Sequence, residues 1–505
     1  MSLTGIVKSL IKRKNLDEAI SNAQKGGLEK TLGAWDLIIL GVGAIIGSGI
    51  FAIVGVAAAG ESGAGPALII SMVIAAIACV FSALCYTEFA TMTPVAGGAY
   101  MYTFATLGEC MAWLIGWILM LEYAIGFIAV ACAWTNHFMQ FLKGFSNILP
   151  AWLVNPPAWL VNDFRSAVNY YNSQGIDYHS MIPSIAGIPL CINLPAIIMI
   201  ILTTAILIKG TKDSAKMTAI MVAVKLGVIG LFVFTGAFFI KPENWTPFAP
   251  NGFEGVFMGA FLIFFAYIGF DAISTTAEET ENPQRDLPIA ILGTLIICTI
   301  LYVCVALVLT GNVPLGQIDI QAPIAHAMRT IGKDWFAGLI SVGALCALTS
   351  VLLIYQLGTT RILYAMSRDR FLPKSLRLIH KKYRTPHVLT WISGAVVIIC
   401  ALFMDLNISA ELCNFGTFTS FVIICVAVLI LRKTEPNRPR PFKVPFCPWF
   451  PVLGILICTI LIAYSLKTLK TSSIYFIIWM VVGLLIYVFY GYNQKRLEEK
   501  KRGLS

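Results

Sequence analysis

Residues 41–51 read Gly41-Val42-Gly43-Ala44-Ile45-Ile46-Gly47-Ser48-Gly49-Ile50-Phe51, with Gly55 just beyond, inside an apolar run long enough to cross a bilayer. A spanning helix must satisfy every backbone N–H and C=O internally, so glycines crowded at its middle favour an interruption. Close helix packing is the other use of such glycines. Interruptions persist in lipid where the freed groups face a cavity. Half-helix N-termini then suit anions and C-termini suit cations.

Working outward, the 505 residues are 58% hydrophobic and only 12% charged, with a mean hydropathy of +0.81. That excludes a soluble protein of this length and predicts an all-α polytopic membrane protein. Apolar runs fall near 34–59, 66–90, 108–138, 190–209, 215–240, 254–279, 288–311, 335–366, 388–405, 409–431, 449–468 and 473–491, which gives twelve transmembrane helices.

The net charge of +10 carries topology rather than nucleic-acid binding. Lysine and arginine gather in 1–30, 209–216, Arg285, 361–384, 432–443 and 495–502, which together hold 28 of the 36. The opposite side holds seven, and Lys225 belongs to neither. Both termini are therefore expected in the cytoplasm, in an integral plasma (inner) membrane protein. Residues 1–30 are basic with Leu and Ile at roughly helical spacing, which suits an amphipathic helix on the anionic leaflet or a solvated tail. No apolar core with a small-residue cleavage pattern precedes the first span, which is expected to be its own insertion signal. The thirteen cysteines show neither CxxC nor Cys/His spacing, so no metal or disulfide framework is expected.

Three ionisable residues lie deep in apolar runs. Glu122, in Trp117-Ile118-Leu119-Met120-Leu121-Glu122-Tyr123, lies about 20 Å into the third span, near mid-bilayer. An acid there is a functional candidate, with a paired structural glutamate as the alternative. Lys225, in Val222-Ala223-Val224-Lys225-Leu226-Gly227, lies about 15 Å from the nearer interface, too deep to snorkel out fully. It needs a partner or loses its proton, and that property suits a proton carrier; a fixed ion pair with Glu122 is the structural alternative. Asp271 falls in Phe264-Phe265-Ala266-Tyr267-Ile268-Gly269-Phe270-Asp271-Ala272-Ile273-Ser274, a second glycine-bearing interruption, where it is expected to cap the restarting helix. Paired interruptions in corresponding spans point to a midplane site in an inverted-repeat transporter. The external loop 142–189 repeats Ala151-Trp152-Leu153-Val154-Asn155 as Ala158-Trp159-Leu160-Val161-Asn162 and shows no chemistry of its own.

These motifs resemble the amino acid/polyamine/organocation (APC) superfamily, and most closely its cationic amino acid transporter (CAT) branch. The pieces are Gly47-Ser48-Gly49-Ile50-Phe51, the Pro94 to Tyr100 turn, the Phe265 to Asp271 break, the Glu278 to Pro288 loop and Ser367-Arg368-Asp369. The resemblance implies a leucine-transporter-like fold with broken first and sixth helices: two inverted five-helix repeats, 34–240 and 241–432, then spans eleven and twelve (433–491), between a cytoplasmic segment 1–33 and a tail 492–505. An amino acid would lie between the first and sixth spans, held by Ile45, Ile46, Gly47, Ser48, Gly49, Phe265, Ala266 and Ile268. Its carboxylate would meet amides near Ser48 and Gly49. Its amino group would meet carbonyls near Ile45, Ile46 and the sixth-span break, with Phe265 and Ile268 walling the side chain. Sodium-independent members have a fifth-span lysine, matched by Lys225, which implies proton coupling with Thr349 and Ser350 as hydrogen-bond partners and Glu122 as a second coupling group. Arg370 departs from the glycine usual after the Arg-Asp pair.

The expected activity is therefore secondary active import of amino acids by alternating access, proton-coupled and sodium-independent, with an exchanger as the alternative. No cofactor is expected, and the partners are amino acid, protons and lipid bilayer, any small membrane-protein partner being unspecified. A membrane enzyme would want clustered histidines, cysteines or paired acids at one face, and the five histidines do not cluster. No GxxxxGK[ST] loop supports ATP-driven transport, and no repeated filter supports a channel.

Overall fold

The computed structural model describes Arg13 and residues 32–93, 98–185, 188–209, 211–277, 280–380, 383 and 385–491. The expected amphipathic segment (Arg13 apart), residues 94–97 of the turn, Glu278, Glu279 and the tail from 492 lie outside the described residues.

The glycine-rich run forms α1 (Ala34–Ile45), a π turn (Gly49–Ile53) and α2 (Val54–Ala59), bent by 42° at the break. Then come α3 (Leu68–Met92), α4 (Gly98–Thr106) and α5 (Glu109–Lys143). A lobe follows with four short helices, α6 (Ala151–Val154), α7 (Ala158–Val161), α8 (Phe164–Ser173) and α9 (Tyr178–Met181), and a two-residue antiparallel ladder, β1 (Ser184–Ile185) with β2 (Ile188–Pro189). The remaining long elements are α10 (Leu194–Lys209), α11 (Thr211–Ala237), α12 (Gly252–Phe264) continuing through a break to α13 (Asp271–Thr275), α14 (Pro283–Asn312), α15 (Pro323–Thr330), α16 (Asp334–Arg368), α17 (His387–Ala401), α18 (Leu406–Thr434), α19 (Trp449–Thr468) and α20 (Lys470–Ile486).

Among the described residues nine helical segments are long and apolar enough to cross a membrane, and the bent α1–α2 pair makes a tenth. Two of the twelve expected spans, α10 and α17, are apolar but only 16 and 15 residues long. The third span overruns its expected end at 138 and continues to Lys143. The expected loop 142–189 is a built lobe, and its ladder is the small exception to an all-helical chain.

Two packed groups organise the helices. In one, α14 lies against both α1 and α3, and α12 against α3. In the other, α5 lies against α16 and α18, and α16 against α11. Four pairs of spans five apart meet, α3 with α14, α5 with α16, α10 with α17, and the π turn with the sixth-span break, whereas among the described residues α11 and α18 are not packed together. Between apolar helices in lipid the attraction is close packing rather than the hydrophobic effect, and small residues permit it. Gly116 faces Met366 on this basis.

A buried clasp ties the end of α3 to the α18–α19 connection. Glu88, 1% exposed, accepts from Arg432 Nε at 3.0 Å and from the Val444 amide at 2.7 Å, with Arg440 Nε 3.3 Å away. In the lobe, each copy of the repeated motif makes one helical turn after a proline, but only the second copy's Trp159 packs into the local apolar cluster with Tyr171 and Cys191. Trp152 is exposed.

Candidate functional site

The first break comes from the backbone at Ile46, which turns extended (ψ 101°) after α1, and helix resumes only at the π turn. The sixth-span break uses a 3₁₀ turn (Phe265–Tyr267), an extended Ile268 (ψ 135°) and Gly269 at φ +124°, where L side chains are strained. The two breaks lock together. A side chain at Gly269 would meet the Ala44 backbone at 3.0 Å, and one at Gly49 would run into the Ala266 backbone. Tyr302 of α14 spans both, its hydroxyl 3.1 Å from Ile45 O and 2.8 Å from Ala266 O. His137 of α5 places Nε2 3.2 Å from Phe51 O within the π turn.

Lys225 is fully buried on α11. Its ammonium donates to Gly43 O at 2.6 Å, Ile46 O at 2.8 Å and Ser350 Oγ at 3.3 Å. Two of these acceptors are carbonyls at the C-terminal end of α1, the end of a half-helix that attracts cations. Ser350 is thus beside the ammonium. Thr349 is not, which corrects its expected role: it accepts from Trp134 Nε1 at 3.1 Å and donates to Leu345 O at 2.7 Å. Adjacent residues project about 100° apart around a helix, so the pair cannot serve one group together.

The Lys225–Glu122 ion pair is absent from the described residues, since neither carboxylate oxygen of the buried Glu122 has a hydrogen-bond partner. Glu122 sits in another part of the bundle, where Cys413 Sγ lies 3.2 Å from its backbone carbonyl. Tyr123, its neighbour on α5, donates to Asp271 Oδ2. Asp271 is the first residue of α13 rather than its cap. The cap position is Phe270, without a side-chain bond, which corrects the capping expectation.

Every residue expected to hold substrate is buried: Ile45, Ile46, Gly47, Ser48, Gly49, Phe265, Ala266 and Ile268. The structure brings them together at the meeting of the two breaks. In this conformation, however, the carbonyls expected to receive an amino group are already engaged, Ile46 by Lys225 and Ile45 and Ala266 by Tyr302. Sequence reasoning missed Tyr302 and His137. A lone hydroxyl in the run Ile300-Leu301-Tyr302-Val303 was the available signal, because a buried tyrosine O–H usually finds a partner.

The arrangement offers backbone donors and acceptors at two facing helix interruptions, a buried ammonium bound to one of them, and the buried apolar side chains of Phe265 and Ile268 at the other. The amino acid permease family model matches residues 32–486. The branched-chain amino acid permease BcaP of Bacillus subtilis (strain 168) is 41% identical over 493 residues, covering 97% of this chain and 99% of the relative. The methylthioribose transporter of the same organism is 40% identical over 493 residues, 98% of this chain and 100% of the relative. The vacuolar cationic amino acid transporter 2 of Arabidopsis thaliana is 35% identical over 444 residues, 86% of this chain and 65% of the relative.

Proposed function

We propose a function from the premise those matches establish: the chain belongs to the amino acid permease family of the APC superfamily. It is a multi-pass membrane transporter rather than an enzyme, and amino acids are its substrate class. Its substrate is a neutral amino acid with an apolar side chain, bound between the two breaks and carried by alternating access. Phe265 and Ile268 support that choice, and so does the likeness to a branched-chain permease. Relatives at 40% and 35% identity are named for methylthioribose and for cationic amino acids, so the apolar side chains carry more weight than the names.

Transport is coupled to protons and independent of sodium, with Lys225 as the group that loads and releases the proton. The observation that carries this is the Lys225 ammonium on Gly43 O and Ile46 O, at the carbonyls a substrate amino group needs. The state of the lysine proton then sets how far Ile46 O is free for a substrate amino group, which links the two. Glu122 is the second coupling group, acting away from Lys225. The twelve-span reading, with halves 34–240 and 241–432, is supported by the contacts between helices five apart. Charge placement supports cytoplasmic termini in the plasma membrane.

The test is uptake of L-leucine into liposomes holding the purified protein under an imposed pH gradient without sodium. Lys225→Ala abolishes gradient-driven accumulation while leucine still stabilises the protein against heat; unchanged accumulation overturns the coupling. One observation favours exchange instead, since a lysine with three acceptors also suits a static charge. Uptake that requires leucine already inside the liposome decides for the exchanger.

A further inference from the structure

The lobe of residues 144–193 has no task in the transport reading, yet it closes over α5 around a cavity of about 330 Å³. That is the lower end of the range for small-molecule pockets, which are mostly apolar. This one is polar: Asn136, Gln140 and Lys143 come from α5, Asp163 from the lobe, Asn193 from its exit and Gln321 from the segment before α15.

Two of these groups are buried and incompletely used. Asp163 is 3% exposed, and its Oδ1 accepts the Ser166 amide at 3.0 Å, capping α8. Oδ2 accepts no hydrogen bond, and Asp163 joins no ion pair, among the described residues. Arg165, two residues on, lies instead 3.7 Å from Asp405. Asn193, also 3% exposed, accepts through Oδ1 from Thr135 Oγ1 at 2.7 Å and from the Ala196 amide at 3.2 Å, which leaves its NH₂ undonated among the described residues. The free carboxylate oxygen and the free amide both border the cavity, where a ligand can take the bonds that water would otherwise supply. Lys143, exposed at the end of α5, supplies a positive charge on the same cavity.

We propose that this cavity is a second binding site, for an α-amino acid zwitterion, whose ammonium meets Asp163 Oδ2 and whose carboxylate meets the Asn193 amide and Lys143. The site is apart from the paired breaks and stands without them. Its walls do reach the first span: Asn136 precedes His137, which contacts the π turn at Phe51, and Gln321 follows Ile320, whose Cα lies 3.0 Å from where a Gly55 side chain would project. By the charge asymmetry this is the outer face, so the cavity holds substrate next to the outer half of the broken helix.

The experiment is equilibrium binding of radiolabelled L-leucine to the full-length protein in detergent, for wild type, Asp163→Asn, Lys143→Gln and Gly49→Leu. Asparagine caps a helix as well as aspartate, so Asp163→Asn removes charge and keeps α8. Wild type binds two leucines per chain. Asp163→Asn loses one of them, weakened at least tenfold, Lys143→Gln weakens the same one several-fold, and Gly49→Leu loses the other. Neither 3-methylbutylamine nor 4-methylpentanoate, each lacking one charge of leucine, displaces the leucine that Asp163→Asn removes. One leucine per chain, untouched by Asp163→Asn, overturns the outer site and leaves the transport reading intact. One leucine removed by Asp163→Asn and kept by Gly49→Leu upholds the outer site and overturns the central one. Should Gly49→Leu fail to fold, the Asp163→Asn and Lys143→Gln stoichiometries alone decide the outer site.

Discussion

The two interrupted helices solve the same problem by different means. The sixth-span break is largely furnished from within its own segment: a left-handed Gly269, an extended Ile268 and a restart at Asp271. The first-span break depends more on other helices, since the carbonyls of Gly43 and Ile46 receive the ammonium of Lys225 on α11, while the Tyr302 hydroxyl of α14 is shared by both breaks. Borrowed donors can be withdrawn when helices shift, whereas a backbone conformation fixed by its own glycine cannot. The contrast makes the first break the adjustable half of the site and the sixth its fixed half.

The largest effect that would break this contrast is at the contact between the halves. Gly49→Val drives a side chain into the Ala266 backbone at the meeting of the two breaks, so leucine uptake falls to background. Gly269→Ala combines positive φ with a 3.0 Å approach to Ala44 and costs about 1–3 kcal/mol for the backbone alone, read as a lower thermal midpoint. Lys225→Met sharpens the comparison from the other side. It leaves the Gly43 and Ile46 carbonyls buried without their donor, at roughly 1–3 kcal/mol each, and the loss appears both in the midpoint and in gradient-driven uptake. Tyr302→Phe removes one hydroxyl shared by both breaks and costs about 1 kcal/mol, with a weakened leucine affinity in the same binding assay. Asp271→Asn is the smallest, because the amide oxygen still accepts from Tyr123; a drop in midpoint as large as that of Lys225→Met would show that the sixth break also leans on its neighbours.

The positions of both breaks were legible in the sequence because two glycine-bearing runs fall in corresponding spans, a pairing that close packing alone does not call for, and the depth of Lys225 followed from helical rise alone. What depth does not give is azimuth. Glu122 and Lys225 lie at similar depths in their spans yet face different neighbours, so the alternative of an ion pair between them is not realised among the described residues, and Thr349 was assigned the partner that only Ser350 has. Nor does apolarity distinguish helices: the segment Gly252–Ser274 is almost wholly enclosed by protein, whereas Trp449–Thr468, similarly apolar, faces mostly outward. Lipid and protein interior select the same residues, and only packing separates them. The short helices α10 and α17 fell below the length that hydropathy can certify, and the lobe after α5 carried no periodicity that would mark its cavity.

The clasp at Glu88 has a mechanical consequence. Because one carboxylate is bolted to Arg432 and to the Val444 amide, the end of α3 and the stretch from 432 to 444 form a single crank. Any tilt of the α1–α3–α12–α14 group must swing that crank along with it or shear those charge-assisted bonds, so such a movement is passed directly to α18 and α19.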